Sequence, residues 1–321
     1  MAEPSRAFVT GALGFIGRAV AERLRGRGAE VRGVDLRGDA SLGAVAGDVS
    51  RAGDWQRHAE GCDLVVHTAA SVSMKNEPGP IWRANVLGTR HALDAAREAG
   101  ARRFLHLSSV TVFSFDFPDH VTEAYPVRAN GVPYVDTKVA SEAVVLAAHA
   151  AGEVPCTVVR PADVYGPGSR PWTILPVQEI SRGRFALPAM GRGVFSPLFI
   201  DNLVDGILLA ATRDEGAGQV FTLSDGVGVT TSEFFGHYGR LLDKRVPVLP
   251  TGAAKLLATG AAGLARMTGN DTEVNASSAA YLAREGTYSI DKARSMLGYE
   301  PKVDLAEGMG ATTQWLRQEH L

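Results

Sequence analysis

The chain has 321 residues, 45% of them hydrophobic and 21% charged, with 33 basic against 35 acidic side chains and a formal net charge of −2. That composition builds a sizeable α/β core, as one large domain or a domain with a smaller lobe, and its charge balance gives no basis for a nucleic-acid or membrane partner. Two cysteines, Cys62 and Cys156, make no disulfide framework, so a reducing cytoplasm is expected, and the opening MAEPSRAFVTG lacks the basic and long apolar regions of a signal peptide.

In chain order, RAFVT (6–10) is a short apolar run ending at a glycine turn, which predicts a buried strand. Ile16, Val20 and Leu24 then mark the stripe of an amphipathic helix. Further strands are predicted at 29–36, 43–49, 62–70, 102–109 and 155–161, with helices at 80–99 and 133–151 between them. Alternation of this kind predicts an α/β fold, a doubly wound parallel Rossmann sheet. After Pro161 the pattern changes to a Gly/Pro loop, a helix near 201–213, a strand at 219–223, a helix near 231–243 and more helix to the end. We expect residues 1–165 to form the dinucleotide-binding domain. Residues 166–321 should form mainly a smaller mixed substrate lobe, with some elements returning to the sheet. The apolar stretch at 251–267 contains Lys255 and Arg266, is too short to span a bilayer, and could line a greasy pocket or simply pack.

The first strand runs into TGALGFIG, with Gly11, Gly14 and Gly17 three apart among Leu13, Phe15 and Ile16. Glycines between a strand and a helix let backbone approach a pyrophosphate and set it at the helix N-terminus. Asp35 ends the second strand 18 residues after Gly17, where a carboxylate accepts the adenosine-ribose hydroxyls and repels a 2′-phosphate. Asp35, followed by Leu36, therefore favours NAD, while Arg37 keeps NADP open. Asp48 and Val49, after the third strand, border an adenine or else serve as a loop cap and packing residue.

TGALGFIG, Asp35, GDV, HTAA (67–70), NVLGT (85–89), LSSVTVF (107–113), PYVDTK (133–138) and RPADVYGPG (160–168) occur in that order. Together they resemble the extended short-chain dehydrogenase/reductase family, of the NAD-dependent epimerase/dehydratase type. FIDNLVDGILLA (199–210) adds likeness to the 3β-hydroxysteroid dehydrogenase-like branch. The resemblance implies that Gly11, Gly14 and Gly17 hold the pyrophosphate and Asp35 the ribose. It further implies that Thr68, Ala69 and Ala70 line the cofactor and that Pro161 and Val164 wall the nicotinamide. Tyr134 would be the acid/base, Lys138 its partner and ribose ligand, and Ser109 the third catalytic residue, with Ser108 the alternative. The family often forms homodimers through two helices, here 80–99 and 133–151.

Tyr134 and Lys138 stand one helical turn apart on one face, so an ammonium can favour the phenolate. Asn85 either holds a water or backbone carbonyl near the site or bonds within the helix packing. His67 and His106 read as structural, and the eight histidines show no metal-ligand spacing, so no metal is expected. In the resemblance a sugar-nucleotide dehydratase carries Asp-Glu after its catalytic hydroxyl residue, where this chain has Val110 and Thr111. An epimerase with tightly bound NAD must clamp a second diphosphate, and Arg182, Arg184 and Arg192 are what that segment offers. The expected activity is NAD(P)-dependent interconversion of a secondary alcohol and a ketone on a moderately apolar small molecule. The alternatives are the epimerase and a non-catalytic NAD(P)-binding sensor or scaffold.

Overall fold

A computed structural model describes residues 3–72, 78–267 and 275–319, with backbone alone at 264–267. Its strands are β1 (Arg6–Thr10), β2 (Glu30–Asp35), β3 (Ala44–Ala46), β4 (Leu64–His67), β5 (Arg103–Leu107), β6 (Cys156–Pro161), β7 (Asp163–Tyr165), β8 (Val194–Phe195), β9 (Pro197–Phe199), β10 (Val220–Leu223) and β11 (Val229–Thr230). Seven of them form one sheet in the order β10-β6-β5-β4-β1-β2-β3, every neighbouring pair parallel. The others make two small two-stranded sheets, β11 with β8 and β7 with β9.

The helices are α1 (Phe15–Gly26), α2 (Pro78–Trp82), α3 (Gly88–Glu98), α4 (Pro133–Ala150), α5 (Leu175–Ser181), α6 (Ile200–Thr212), α7 (Thr231–Leu241), α8 (Thr251–Met267), α9 (Ala276–Leu282), α10 (Asp291–Leu297) and α11 (Leu305–Gln318). Among the described residues no helix is long and apolar enough to cross a membrane. Alternate residues of the strands feed two cores, because successive strand side chains point to opposite faces. Ala7 and Val9 join α1 and α6 on one side, whereas Phe8, Val34 and Val65 join α3 and α4 on the other. Both faces of the sheet are therefore covered, as a parallel sheet requires.

Four details depart from the sequence expectation. The third strand stops at Ala46: Gly47 N–H returns to Asp35 O at 2.8 Å, and the chain turns at Asp48. The helix expected over 80–99 starts at Pro78 and widens into a π turn at Arg83–Leu87 before α3. The strand at 219–223, grouped with the lobe by its place in the sequence, lies in the main sheet as β10, paired with β6 from Val220↔Val158 to Leu223↔Pro161. Its apolar run is that of a strand buried on both faces. Helix α8 packs through Ala254 and Ala258, leaving Leu256 and Leu257 75% and 61% exposed, so these leucines face solvent rather than lining a pocket.

The site end of the sheet depends on close backbone packing. A Cβ added to Gly33 on β2 would fall 2.4 Å from Ala12 Cβ and 3.0 Å from Val9 O. Gly33→Ala is expected to lower stability by about 1–3 kcal/mol, by overpacking that cannot relax without moving the glycine turn. Urea unfolding measures this directly.

Candidate active site

Parallel strands all end at one edge, and the sequence-predicted cofactor residues gather there. Gly11 has φ +69°, the left-handed region, and donates its N–H to Val34 O at 2.8 Å. A Cβ on Gly11 would sit 2.9 Å from Ala69 N, and one on Gly17 only 2.1 Å from Gly11 O and 2.7 Å from Thr68 Oγ1. Turn, helix start and the end of β4 thus meet through backbone. Gly14 is the N-cap of α1 and supplies no side-chain cap, and the first turn of that helix contains no acid. Its free N–H groups and dipole fit a pyrophosphate.

The Asp35 carboxylate accepts Leu13 N–H at 3.0 Å and Leu36 N–H at 2.8 Å, which fixes a negative charge beside the turn. Leu36 and Arg37 are exposed beyond it. Asp48 is exposed and accepts Ser50 N–H at 2.9 Å as a loop cap, while Val49 is buried with its Cγ2 3.0 Å from the Cβ position of Gly88. Phe15 lies 3.6 Å from the Cβ position of Gly168, and Ile16 is half-buried. Thr68 donates to Thr10 O at 2.7 Å, and Ala69 and Ala70 stay half-exposed beside it. Pro161 closes β6 and Val164 is buried in β7.

Helix α4 begins with Val132 as N-cap and Pro133 in its first turn, a position where the missing N–H costs nothing. Asp136 in the same turn accepts the N–H groups of Asn130 and Gly131 at 2.9 and 3.2 Å. This start places Tyr134 and Lys138 on the buried face. Lys138 Nζ donates to Leu107 O at 2.8 Å and lies 5.9 Å from the centre of the Tyr134 ring. Ser109 follows two residues after Leu107; its Oγ accepts Thr111 N–H at 3.2 Å, and its hydroxyl is near enough to the Tyr134 phenol to lower that phenol's pKa. Burial pushes the Tyr134 phenol up to about 12, against which the Ser109 hydroxyl works. Burial also brings Lys138 down to about 8, opposed by the negative charge of Glu142.

Ser108 is engaged elsewhere, its Oγ donating to Glu142 Oε1 at 2.5 Å. Glu142 in turn accepts two bonds from Arg160, at 2.9 and 2.7 Å. Of the two candidate serines, it is Ser109 that the structure brings to Tyr134. Sequence reasoning missed Glu142 and Arg160, although Glu142 stands four residues after Lys138 and so shares its helix face.

Asn85 sits in the π turn, a local widening common at functional sites. It accepts Ser71 N–H at 2.7 Å and donates to Ser71 O at 3.1 Å and Thr137 Oγ1 at 3.0 Å, tying the chain after Ala70 to α4. His67 is buried between Thr10 and Thr89, at 2.7 and 3.1 Å. The Thr89 hydroxyl gives its one proton to Asn85 O at 2.6 Å, so His67 Nε2 must donate to Thr89 and Nδ1 must accept from Thr10. Burial, then the Lys138 charge, holds His67 down to about 3, so it stays neutral. His106 bonds Ser141 Oγ at 3.0 Å and is likewise held neutral.

Several charges of the lobe are paired. Arg182 and Arg184 pair with Glu179 at the surface, and Arg192 is exposed. The buried Arg284 is paired with Asp163, which also accepts from Tyr281 Oη at 2.6 Å and Ser196 N–H at 3.0 Å. The Arg284 guanidinium lies 3.8 Å from the centre of the Tyr281 ring, and that ring stacks on Trp172 at 5.7 Å.

A seven-stranded parallel sheet with a glycine turn opening α1 and an acid closing β2 defines a doubly wound dinucleotide-binding protein. The chain belongs to the NAD dependent epimerase/dehydratase family, whose model matches residues 7–223, and it is an enzyme of the extended short-chain dehydrogenase/reductase type. It is 32% identical over 322 residues to 4-hydroxy-2-methyl-3-oxo-4-farnesyl-3,4-dihydroquinoline-1-oxide ketoreductase of Stigmatella aurantiaca, covering 96% of both chains. It is 26% identical to 3-beta-hydroxysteroid dehydrogenase of Mycolicibacterium neoaurum, over 95% of this chain and 89% of that one. Curated relatives also include dTDP-glucose 4,6-dehydratases and a UDP-glucose 4-epimerase. The fold is that of an epimerase from Methanothermobacter thermautotrophicus, with a TM-score of 0.81 at 23% identity, over 99% of this chain and 94% of that one.

Gly17→Ala places a methyl 2.1 Å from Gly11 O, so the glycine turn must shift to admit it. It is expected to weaken NAD binding at least about tenfold in calorimetry, a loss of ~1.4 kcal/mol, while circular dichroism keeps the native signal.

Proposed function

We propose that this chain reduces a ketone to a secondary alcohol, and runs the reverse oxidation, with NAD on an uncharged and largely apolar small molecule. The observation that carries this reading is the buried Ser109–Tyr134–Lys138 group at the C-terminal edge of the sheet, with no acid in the following turn. When bound at the glycine turn, the reduced cofactor supplies the hydride. Tyr134 gives its phenolic proton to the carbonyl oxygen, and Ser109 donates a hydrogen bond to the same oxygen. Lys138, held by Leu107 O, stabilises the phenolate left behind. Gly11, Gly14 and Gly17 hold the pyrophosphate, and Asp35 meets the adenosine ribose and favours NAD over NADP. Asn85 is best read as a positioning residue, fixing the Ser71 backbone against α4.

Three features argue against the sugar-nucleotide reactions. Val110 and Thr111 fill the turn after Ser109, so no carboxylic acid stands there to expel a hydroxyl. The nearby Glu142 is locked to Arg160, both of its carboxylate oxygens being taken. Of the cations that could clamp a second diphosphate, Arg284 is cancelled by Asp163 and Arg182 and Arg184 are paired with Glu179, which leaves exposed Arg192 of that set. Apolar character is supported by half-exposed Phe115, six residues after Ser109 and edge-on to Tyr281 at 5.6 Å. The Stigmatella relative, named for a farnesyl-bearing 3-oxo compound, points the same way. Residues 1–165 would then serve mainly the cofactor and 166–321 mainly the substrate. The same reading makes the protein a cytoplasmic homodimer through the helical run Pro78–Glu98 and α4, where Trp82 and Leu87 are 46% and 42% exposed.

The test is a panel of apolar ketones, sterols, hydroxy acids and sugar nucleotides with NADH and NADPH, followed by cofactor absorbance. Tyr134→Phe should lower kcat on the substrate found by about 10²–10⁴-fold; intact turnover would remove Tyr134 from the mechanism. Because the Lys138 ammonium is the active form and its pKa is lowered to about 8, ketone reduction should be full at pH 6–7 and fall as pH rises through about 8. A pH profile of kcat/KM checks the sign.

A further inference from the structure

Helix α4 carries Tyr134, Lys138 and Glu142 at successive four-residue steps, so all three share its buried face. Glu142 is 2% exposed and Arg160, on β6, 4%. The two carboxylate oxygens of Glu142 take the two Arg160 bonds, and Oε1 also takes the Ser108 hydroxyl. Arg160 is further fixed over the Phe113 ring at 4.9 Å. At the end of β5, Leu107 O holds Lys138 and Ser108 Oγ holds Glu142, and the next residue is Ser109. The Lys138 ammonium and the Glu142–Arg160 pair are thus both fastened to the same strand end, with Glu142 one helical turn after Lys138.

Among the described residues, Glu142 is the one anion that acts on Lys138. His67 on β4 and His106 on β5 are buried and neutral. Tyr134 is a neutral phenol, and Arg160 on β6 is a cation. Asn85 and Thr137 carry no charge. The acids Asp94 and Glu153 pair with Arg90 near the far end of α4. A buried ammonium with no anion beside it sheds its proton rather than remaining charged.

We propose that Glu142, clamped in place by Arg160, is the positioning residue that keeps Lys138 cationic and thereby sets the pH range in which Tyr134 can exchange a proton. This rests on the reading of Tyr134 and Lys138 as the proton-transfer pair. The arrangement also gives the arginine at position 160 inside the sheet a role: its guanidinium binds both Glu142 oxygens while Ser108 at the strand end bonds Oε1.

The test reads Lys138 itself and needs no substrate. Protein carrying ¹³C-lysine is titrated by NMR, and the Lys138 ε-carbon signal is assigned by its loss in Lys138→Met. In Glu142→Gln the Lys138 midpoint should fall by about one pH unit or more. In Glu142→Gln/Arg160→Met, where both charges are gone, the fall should be smaller but still present. Ser108→Ala removes a hydroxyl and no charge, so its midpoint should match wild type. If Glu142→Gln fails to fold, the double variant decides, since it does not leave Arg160 buried without its partner. An unmoved Lys138 midpoint in whichever charge variant folds would overturn the proposal. A shifted midpoint in a protein that reduces no ketone would instead overturn the functional reading and leave this one standing.

Discussion

The contact on which the site depends is the bond from the Lys138 ammonium to Leu107 O, at 2.8 Å, where α4 meets the end of β5. Burying an ammonium is costly unless it is bonded and balanced, and both needs are met by neighbours that also define the geometry. Leu107 O is the strand carbonyl two residues before Ser109, so the bond that satisfies the lysine also fixes how far α4 lies from the serine. Glu142 then balances the charge and binds Ser108, which fastens the next residue of the same strand end. Tyr134 inherits its position from these contacts.

The second constraint is the close backbone approach at the glycine turn. A methyl at Gly17 would lie 2.1 Å from Gly11 O, so turn, helix start and β4 end act as one unit. Both constraints act at the same edge of the sheet because parallel strands all finish there. The hydrogen-bonded chain from Ala69 N–H through Thr10, His67 and Thr89 to Asn85 O joins them. Its proton order is fixed by the single hydroxyl proton of Thr89, and a neutral histidine is what that order requires.

Much of this was legible in the sequence, for physical reasons. Parallel strands buried on both faces are short apolar runs, so β1, β2, β4, β5 and β6 stand out, and Pro133 announces the start of α4. Other features depend on partners far away in sequence. Nothing local in QVFTL says that it pairs with β6, and nothing in NVLGT shows a π turn. The choice between Ser108 and Ser109 is made by Glu142, 34 residues from Ser108. For the apolar stretch 251–267 the sequence left two uses open, a pocket lining or plain packing; Ala254 and Ala258 pack while Leu256 and Leu257 remain in solvent. Glu142 itself was readable from its spacing after Lys138, whereas the pairing of Asp163 with Arg284, 121 residues apart, was not.

Charge decides substrate class in this account. A lobe in which Asp163 cancels Arg284 suits a neutral molecule better than a nucleotide diphosphate. The most direct measurement is transfer of deuterium from 4-deuterated NADH in the presence of candidate ketones and sugar nucleotides, with products analysed by mass spectrometry. The account predicts a deuterium on the carbinol carbon of an apolar alcohol, one per cofactor oxidised. Epimerised or dehydrated sugar nucleotide with no net cofactor oxidation, and no labelled alcohol from any ketone, would contradict it.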